Sequence, residues 1–417
     1  MEKSGKFRLT SLERNWILYD VGNSAFVLMV ATLIPIFFNA LAAAGGLSSV
    51  EYLAYWGYAS SAVTIITAVL SPILGTVADT KGFKKPIFIL CVFVGIVGCC
   101  AMGAVSAWLP FLVIFVIAKV GFSGSLVFYD SMLSDVTTPE RMDEVSSRGY
   151  AWGYIGSCVP FVVCLGLVLG AGSIGISQMT ALNLALLLTA AWWLLTTLPL
   201  LKSYKQLYYV EVEKHAVRQS FARIGHTLRH LPEDKQVFWF LLAFFCYIDG
   251  VYTIIDMATA YGTALGLDTT GLLLALLVTQ IVAFPSALIF GRLSNKYPSA
   301  KLIPVCIAAY AGIAVFAFFL TWQWQFWVLA VIVGMFQGGV QALSRSHFAK
   351  IIPPEKSGEY FGLFDICGKG ASFLGTMIVS VGSQLTGSAN VGVGSLIVLF
   401  IVGFVLFRVS CRQSETA

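Results

Sequence analysis

Charge is scarce in this chain. Asp, Glu, Lys and Arg make up 11% of its 417 residues, where soluble domains carry about 25%. That excludes an ordinary water-soluble domain. Histidine occurs four times, with no HExxH and no cysteine partner at ligand spacing, so no metal site is expected. There is no GxxxxGK[ST], which excludes nucleotide drive, and no other cofactor motif. CxxC is also missing. The nine cysteines lie mostly in apolar runs and read as reduced packing residues; the vicinal Cys99–Cys100 reads as two small helix residues. A cleavable signal peptide is not expected, because the first fourteen residues are polar and the first apolar run is too long for one.

What the chain has is apolar length. Hydrophobic residues make up 58% of it. Crossing a hydrocarbon core of about 30 Å takes about 20 apolar residues. Twelve such runs are present, at about 15–42, 51–78, 86–106, 110–134, 149–170, 179–200, 236–263, 270–292, 302–320, 324–349, 358–385 and 391–409. The expectation is an all-α membrane protein. Its partners are then the lipid bilayer and a small-molecule substrate. The net charge of +5 is no nucleic-acid signal in such a chain; it reflects basic loops on one side of a membrane.

Those loops are one-sided. Lys and Arg cluster in the N-terminus, in the loop at Lys81, Lys84 and Lys85, in the stretch from Lys202 to Lys235, and at Arg292, Lys296 and Lys301. The loops near residues 45, 107, 174, 266, 322 and 388 hold none. By the positive-inside rule both termini are cytoplasmic. The stretch between spans 6 and 7 holds three of the four histidines. It reads as a solvated linker helix along the membrane surface, with a pH-sensing or partner-binding role as the alternative.

The chain also repeats itself. "GTVADTKGFKK" begins at Gly75 and "GRLSNKYPSAK" at Gly291, 216 residues later; "TPE" ends at Glu140 and "PPE" at Glu355, 215 residues apart. Tyr19–Asp20 of span 1 matches Ile248–Asp249 of span 7. Two six-helix halves joined by a linker are expected, with boundaries at 1–200, 201–235 and 236–417. Carriers built from such repeats bind substrate at the interface of the halves, near the bilayer midplane.

These residues carry a resemblance. "GTVADTKGFKK" resembles the major facilitator signature between spans 2 and 3, with Gly75, Asp79 and Gly82 matching. "LYDVGNSAF", "YIDGVYTI", "VTTPERMDEVSSRGYAWGYIG" and "QGGVQALSRSHFAKIIPPEKSGEYFGLFDICGKGASFLG" resemble the branch of that superfamily holding the vacuolar amino-acid effluxers of autophagy and their bacterial relatives. The resemblance implies a twelve-helix rocker-switch carrier in two pseudo-symmetric bundles, with amino acids as the substrate class. The expected location is a bacterial cytoplasmic membrane, and the expected state a monomer, although nothing in the sequence separates monomer from dimer. The resemblance also places Asp79 against the start of span 11, near Gly358, as a cytoplasmic gate, where the helix dipole favours negative charge. Lys84 and Lys85 then reach Asp130 or Asp135 at the foot of span 4.

Polar groups inside apolar runs are the candidate site. Asp20, Asn23 and Ser24 share one helical face, as do Asp249, Thr253 and Asp256. Intramembrane acids are costly and mark pathways. The expectation is a pair, Asp20 and Asp249, facing a central cleft, able to hold a substrate amine or to cycle a proton. The alternative is that each bonds a neighbouring helix. Lys119 and Lys369 are the mid-span cations. Lys369 follows Asp365 by four residues, so it is either neutralised there or meets a substrate carboxylate; "GKGAS" matches the family at Lys369. Lys119 is expected to snorkel or to pair with an acid on span 1. Gln337, Gln341, Gln280 and Asn183 line the cavity or join helices. Pro35, Pro72, Pro160 and Pro285 are expected to kink their helices. Rival functions are an exporter of drugs or other amphipathic compounds, and a transporter-like receptor or scaffold, which would be expected to lose these charges. An enzyme lacks its catalytic constellation here.

Overall fold

The computed structural model describes residues 7–211, 227 and 229–416, with side chains at 369–373 and at a few other helical positions outside the description. It is helical throughout, with no strand among the described residues. Span 1 is Ser11–Ala44, span 2 Ser49–Ala78, span 3 Lys84–Met102, span 4 Trp108–Ser131, span 5 Met142–Leu169 and span 6 Gln178–Ser203. Span 7 is Lys235–Ala264, span 8 Thr269–Leu293, span 9 Ser299–Phe318, span 10 Gln323–Ile351 and span 11 Ser357–Thr386; span 12 joins Ala389–Gly394 to Ile397–Thr416. Among the described residues, eleven helices are long and apolar enough to cross a membrane by length and composition. Span 11 is interrupted by side chains outside the description.

Local chemistry sets the ends. Thr10 with Glu13 and Ser48 with Glu51 form capping boxes at the starts of spans 1 and 2. Ser177 and Asp268 cap spans 6 and 8 through their side chains, satisfying amide groups that a helix start leaves unpaired. Span 1 breaks at Thr32, whose hydroxyl turns back to the Leu28 carbonyl. Pro35, three residues on, has no N–H to continue the ladder. Pro72, Pro160 and Pro285 sit within continuous helices. Gly387, with φ of 68°, ends span 11 in the left-handed conformation that favours glycine.

Spans 1–6 pack on one another, as do spans 7–12. The two bundles meet mainly along spans 2 and 11 and along spans 5 and 8. A pseudo-two-fold axis exchanges these two contacts, as parallel repeats require. The side-chain bonds that join the halves gather toward the end carrying the basic loops, here called the basic end. Five examples from that end are Asp79 to Gly358, Lys84 to Ser357, Asp143 to Ser346, Glu144 to Asn295, and Asp143 to Lys350 at 2.7 Å.

The linker expectation needs correction at its start. Residues 204–211 are not helical. They lie as a strap over the loop between spans 2 and 3. The Tyr204 hydroxyl donates to Asp135 at 2.5 Å, and the backbone N–H groups of Leu207 and Tyr208 donate to the same carboxylate at 3.0 Å each. Gln206 bonds the Ala78 carbonyl and the Gly82 N–H, and the Val210 N–H donates to the Asp79 carbonyl at 2.8 Å. Burial and the neighbouring Asp135 carboxylate push the Tyr204 hydroxyl well up, so it stays a donor. Polar segments find order when a buried acceptor collects their N–H groups, and Asp135 is that acceptor. His215 and His226 lie outside the described residues.

Candidate transport site

The basic end closes by backbone contact. Gly75 of span 2 meets Gly358 so closely that a Cβ at either would overlap the other's carbonyl. The Asp79 carboxylate accepts the N–H groups of Gly358 and Glu359 at 2.7 and 2.8 Å. These are orphan donors at the first turn of span 11, where the dipole favours an anion. Gly82, with φ of 79°, makes the left-handed turn that brings the chain back. Lys84 is fully buried between Asp79 at 3.8 Å and Asp135 at 3.4 Å, and donates to Ser357 of the other half at 2.8 Å. Lys85 does not reach either acid; its nearest bond is to the Tyr204 carbonyl. Asp130 is also elsewhere, one turn deeper, where Lys84 has no bond to it.

Asp130 meets a residue that the sequence reading passed over. Arg345 of span 10 is only 2% exposed. It crosses into the N-terminal half and ion-pairs with Asp130 at 2.9 Å, with Asp20 at 4.0 Å. Its Nε and second amino group bond the hydroxyl and carbonyl of Ser146 on span 5. Trp16, Tyr129 and Tyr150 surround the guanidinium with their rings at 4.7, 5.4 and 4.4 Å. Arginine suits such a place: it is planar, weakly hydrated, and stacks on aromatic faces. Trp16 is held by its indole N–H on the Tyr129 carbonyl at 2.9 Å. A signal was present, since Gln337, Gln341 and Arg345 stand at i, i+4 and i+8 on one face of span 10.

The expected cleft-facing pair of acids is not found in this structure. Asp20 is 6% exposed and lies under Arg345, against Gly149 and Gly153 of span 5. Ser24 packs on Gly153 as well. Asn23 is buried, and its Nδ2 has no hydrogen-bond partner among the described residues. Asp249 is fully buried inside its own half. It accepts the Gly375 N–H of span 11 at 2.9 Å and the Thr253 hydroxyl at 3.3 Å. Each half thus sets its span-1-type acid against glycines of its span-5-type helix. Among the described residues, only the first acid has a cation from the opposite half. Periodicity gave the right face of each helix but not what covers it.

Above this layer the halves are less tightly joined. Asp256 of span 7 is solvent-exposed although it lies mid-span, and the Lys119 charge of span 4 acts on it across the gap. The Lys119 ammonium also lies 4.7 Å from the Phe122 ring. Asp365 accepts the Ser71 hydroxyl of span 2 at 2.7 Å. The Lys369 side chain lies outside the described residues. Gln341 accepts the Tyr154 hydroxyl at 3.0 Å, again across the halves. Gln337 and Gln280 line a mainly apolar pocket within the C-terminal half, with Thr253, Tyr261 and Phe326. Asn183 does not line it; it sits beside Gly103 at the end of span 3. No cluster of metal-ligating side chains occurs among the described residues.

Comparison with known proteins fits this geometry. The family described as "Vacuole effluxer Atg22 like" matches residues 11–416. A Bacillus subtilis (strain 168) protein described as the uncharacterized MFS-type transporter YxiO is 42% identical over 98% of this chain and 97% of its own. Autophagy-related protein 22 of Saccharomyces cerevisiae (strain ATCC 204508 / S288c) is 27% identical over 58% of this chain. The chain spans about half the length of the fungal relatives it matches. Among solved structures, the human organic anion transporter MFSD10 superposes with a TM-score of 0.72 at 14% identity, covering 95% of this chain and 99% of that one. FucP in its outward conformation superposes with a TM-score of 0.71 at 16% identity, covering 96% and 97%. The fold is that of the major facilitator superfamily, whose members are carriers and not enzymes. The chain belongs to the Atg22-like vacuole effluxer family of membrane transporters.

Proposed function

We propose that the chain is a proton-coupled carrier of a small polar solute, with amino acids as the first candidates, working by alternating access between two halves. The observation that supports this most is the charged layer between the halves. Asp20 and Asp130 of one half share Arg345 of the other, beneath the exposed Asp256 and its partner charge Lys119. A solute carrying an amine and a carboxylate can exchange with such groups one for one, keeping each buried charge compensated. The resemblance to amino-acid effluxers points the same way. We take residues 1–200 and 236–417 as the moving halves and 201–235 as their linker, in a monomer. We place the basic loops and both termini in the bacterial cytoplasm by the charge asymmetry. In that orientation the closed basic end makes this an outward-facing state.

A second reading has one observation in its favour. The apolar cavity in the C-terminal half suits the hydrophobic part of an amphipathic compound. One experiment separates the two. Purified protein is screened by thermal shift against amino acids, short peptides and amphipathic amines, and the hits are tested for uptake into proteoliposomes under an imposed pH gradient. An amino acid that raises the melting temperature and accumulates with the gradient supports the first reading. Hits confined to amphipathic compounds support the second. Uptake indifferent to the pH gradient defeats the proton coupling.

A further inference from the structure

The acids at the basic end differ in where their cations come from. Glu13 is held by Arg141 at 2.7 Å, Glu144 by Arg148 at 2.6 Å, and Asp79 and Asp135 by Lys84. All of these partners belong to the same half as the acid. When the halves part at the basic end, those pairs travel together. Asp143 does lose Lys350, but that cation is partly exposed at the rim, where water can replace it. Asp20 and Asp130 stand apart. Among the described residues, the cation bonded to them is Arg345 alone, and it comes from the other half.

Arg345 belongs to the half opposite both of its acid partners. Opening the basic end moves span 10 away from spans 1, 4 and 5. The guanidinium leaves its three rings and Ser146, and the two carboxylates remain together on the wall of the opened cleft. Among the described residues the surrounding groups bring hydrogen bonds, from Tyr129 and Ser24 to Asp20, but no second positive charge. Span 4 adds Tyr129, span 5 Tyr150 and Tyr154, and span 7 Tyr252; each is neutral or becomes negative. Span 11 contributes Asp365, a further negative charge acting on Asp130. One turn on stands Lys369, whose side chain lies outside the described residues. Two carboxylates close enough to share one guanidinium nitrogen repel once it leaves, which favours a proton on one of them.

We propose that Arg345 is the coupling residue of this carrier, and that a proton and Arg345 compete for one acid pair, Asp20 with Asp130. With the basic end shut, Arg345 offsets one of the pair's two negative charges. With it parted, an O–H bond forms on one carboxylate as the ion pair breaks. Loss of that proton restores the anion that draws Arg345 back. The inference rests on the proton-coupled reading above and gives it a site. It also fixes a sign: protons favour the state parted at the basic end, because that state binds one more proton than the closed one.

The test reads conformation directly, without substrate. Spin labels are placed on Thr138→Cys and Lys296→Cys, exposed positions of opposite halves at the basic end, in full-length protein whose native cysteines are replaced. The distance distribution is measured from pH 8 to pH 5. The parent is expected to shift toward the long distance as pH falls, by at least threefold in population. Asp20→Asn with Asp130→Asn is expected to lie at the long distance at every pH. Asp130→Asn alone is the fallback should the double variant fail to fold, and its pH response is expected to fall by at least half. Arg345→Lys keeps the charge and is expected to keep a pH response with a displaced midpoint. A pH response that survives unchanged in the acid variants overturns the proposal, as does a parent that shows none. Failure of the broader reading looks different: the distances still respond to pH, but an imposed pH gradient drives no uptake.

Discussion

The Asp79 carboxylate of span 2 accepts the backbone N–H of Gly358, the second residue of span 11, at 2.7 Å. One acid thereby caps a helix of the opposite half. Asp79→Asn keeps an acceptor for one N–H but turns an amide group toward the other. It also leaves Lys84 with one buried anion instead of two. The expected outcome is transport lowered several-fold, with a cysteine at Ser147, buried across from Gly291, becoming more reactive to a soluble thiol reagent. Unchanged labelling and transport would make Asp79 a topology charge only.

Gly75 leaves no room for a side chain where it meets the Gly358 carbonyl. Gly75→Ala should therefore hold the basic end apart. Ligand binding is expected to persist while turnover falls at least tenfold. Gly166→Ala adds its methyl to open space and should behave as the parent. Equal transport by the two variants would show that this contact is not needed for closure.

Asp249 gives a prediction opposite to the one its sequence position suggests. It is bonded inside one half, so a neutral acceptor of the same shape should serve. Asp249→Asn is expected to retain gradient-driven transport. Asp249→Val should lose stability by about 1–3 kcal/mol, the usual cost of leaving a buried donor unsatisfied, seen as a lower melting temperature. Loss of coupling in the asparagine variant, with stability intact, would return Asp249 to the proton pathway.

The strap can be loosened by one atom. Tyr204→Phe removes the donor to Asp135 and leaves the ring in place. A hydrogen bond to a charged group contributes about 1.5–3 kcal/mol, though the Leu207 and Tyr208 N–H groups remain on the same carboxylate. Tryptic cleavage at the exposed Lys205 should speed up several-fold under native conditions. Cleavage at the parent's rate would mean that the backbone bonds alone hold the strap.

The sequence made the spans legible because hydropathy and loop charge are strong, redundant signals. A missing span would have moved the basic loops to the wrong side. The contact between spans 2 and 11 was legible through Gly75, Asp79 and Gly82, whose spacing is tied to one tight turn. The interior was harder. Arg345 sits six residues before the end of span 10, with His347 and Lys350 after it, and so it looks like one more basic residue at a membrane boundary. Its burial follows from how span 10 leans into the other half, which periodicity does not encode. Asp20 and Asp249 look equivalent along the chain, yet among the described residues only Asp20 is met by a cation from across the interface. The strap has no periodic pattern at all; its order comes from Asp135, about seventy residues earlier in the chain.

By its bonds, Tyr204–Glu211 is property of the first repeat. A dissection of the gene into two co-expressed halves should respect those bonds. Cut after Ser203, the first half would be born without the segment that seats on its own loop; cut after Glu211, it would carry that segment with it.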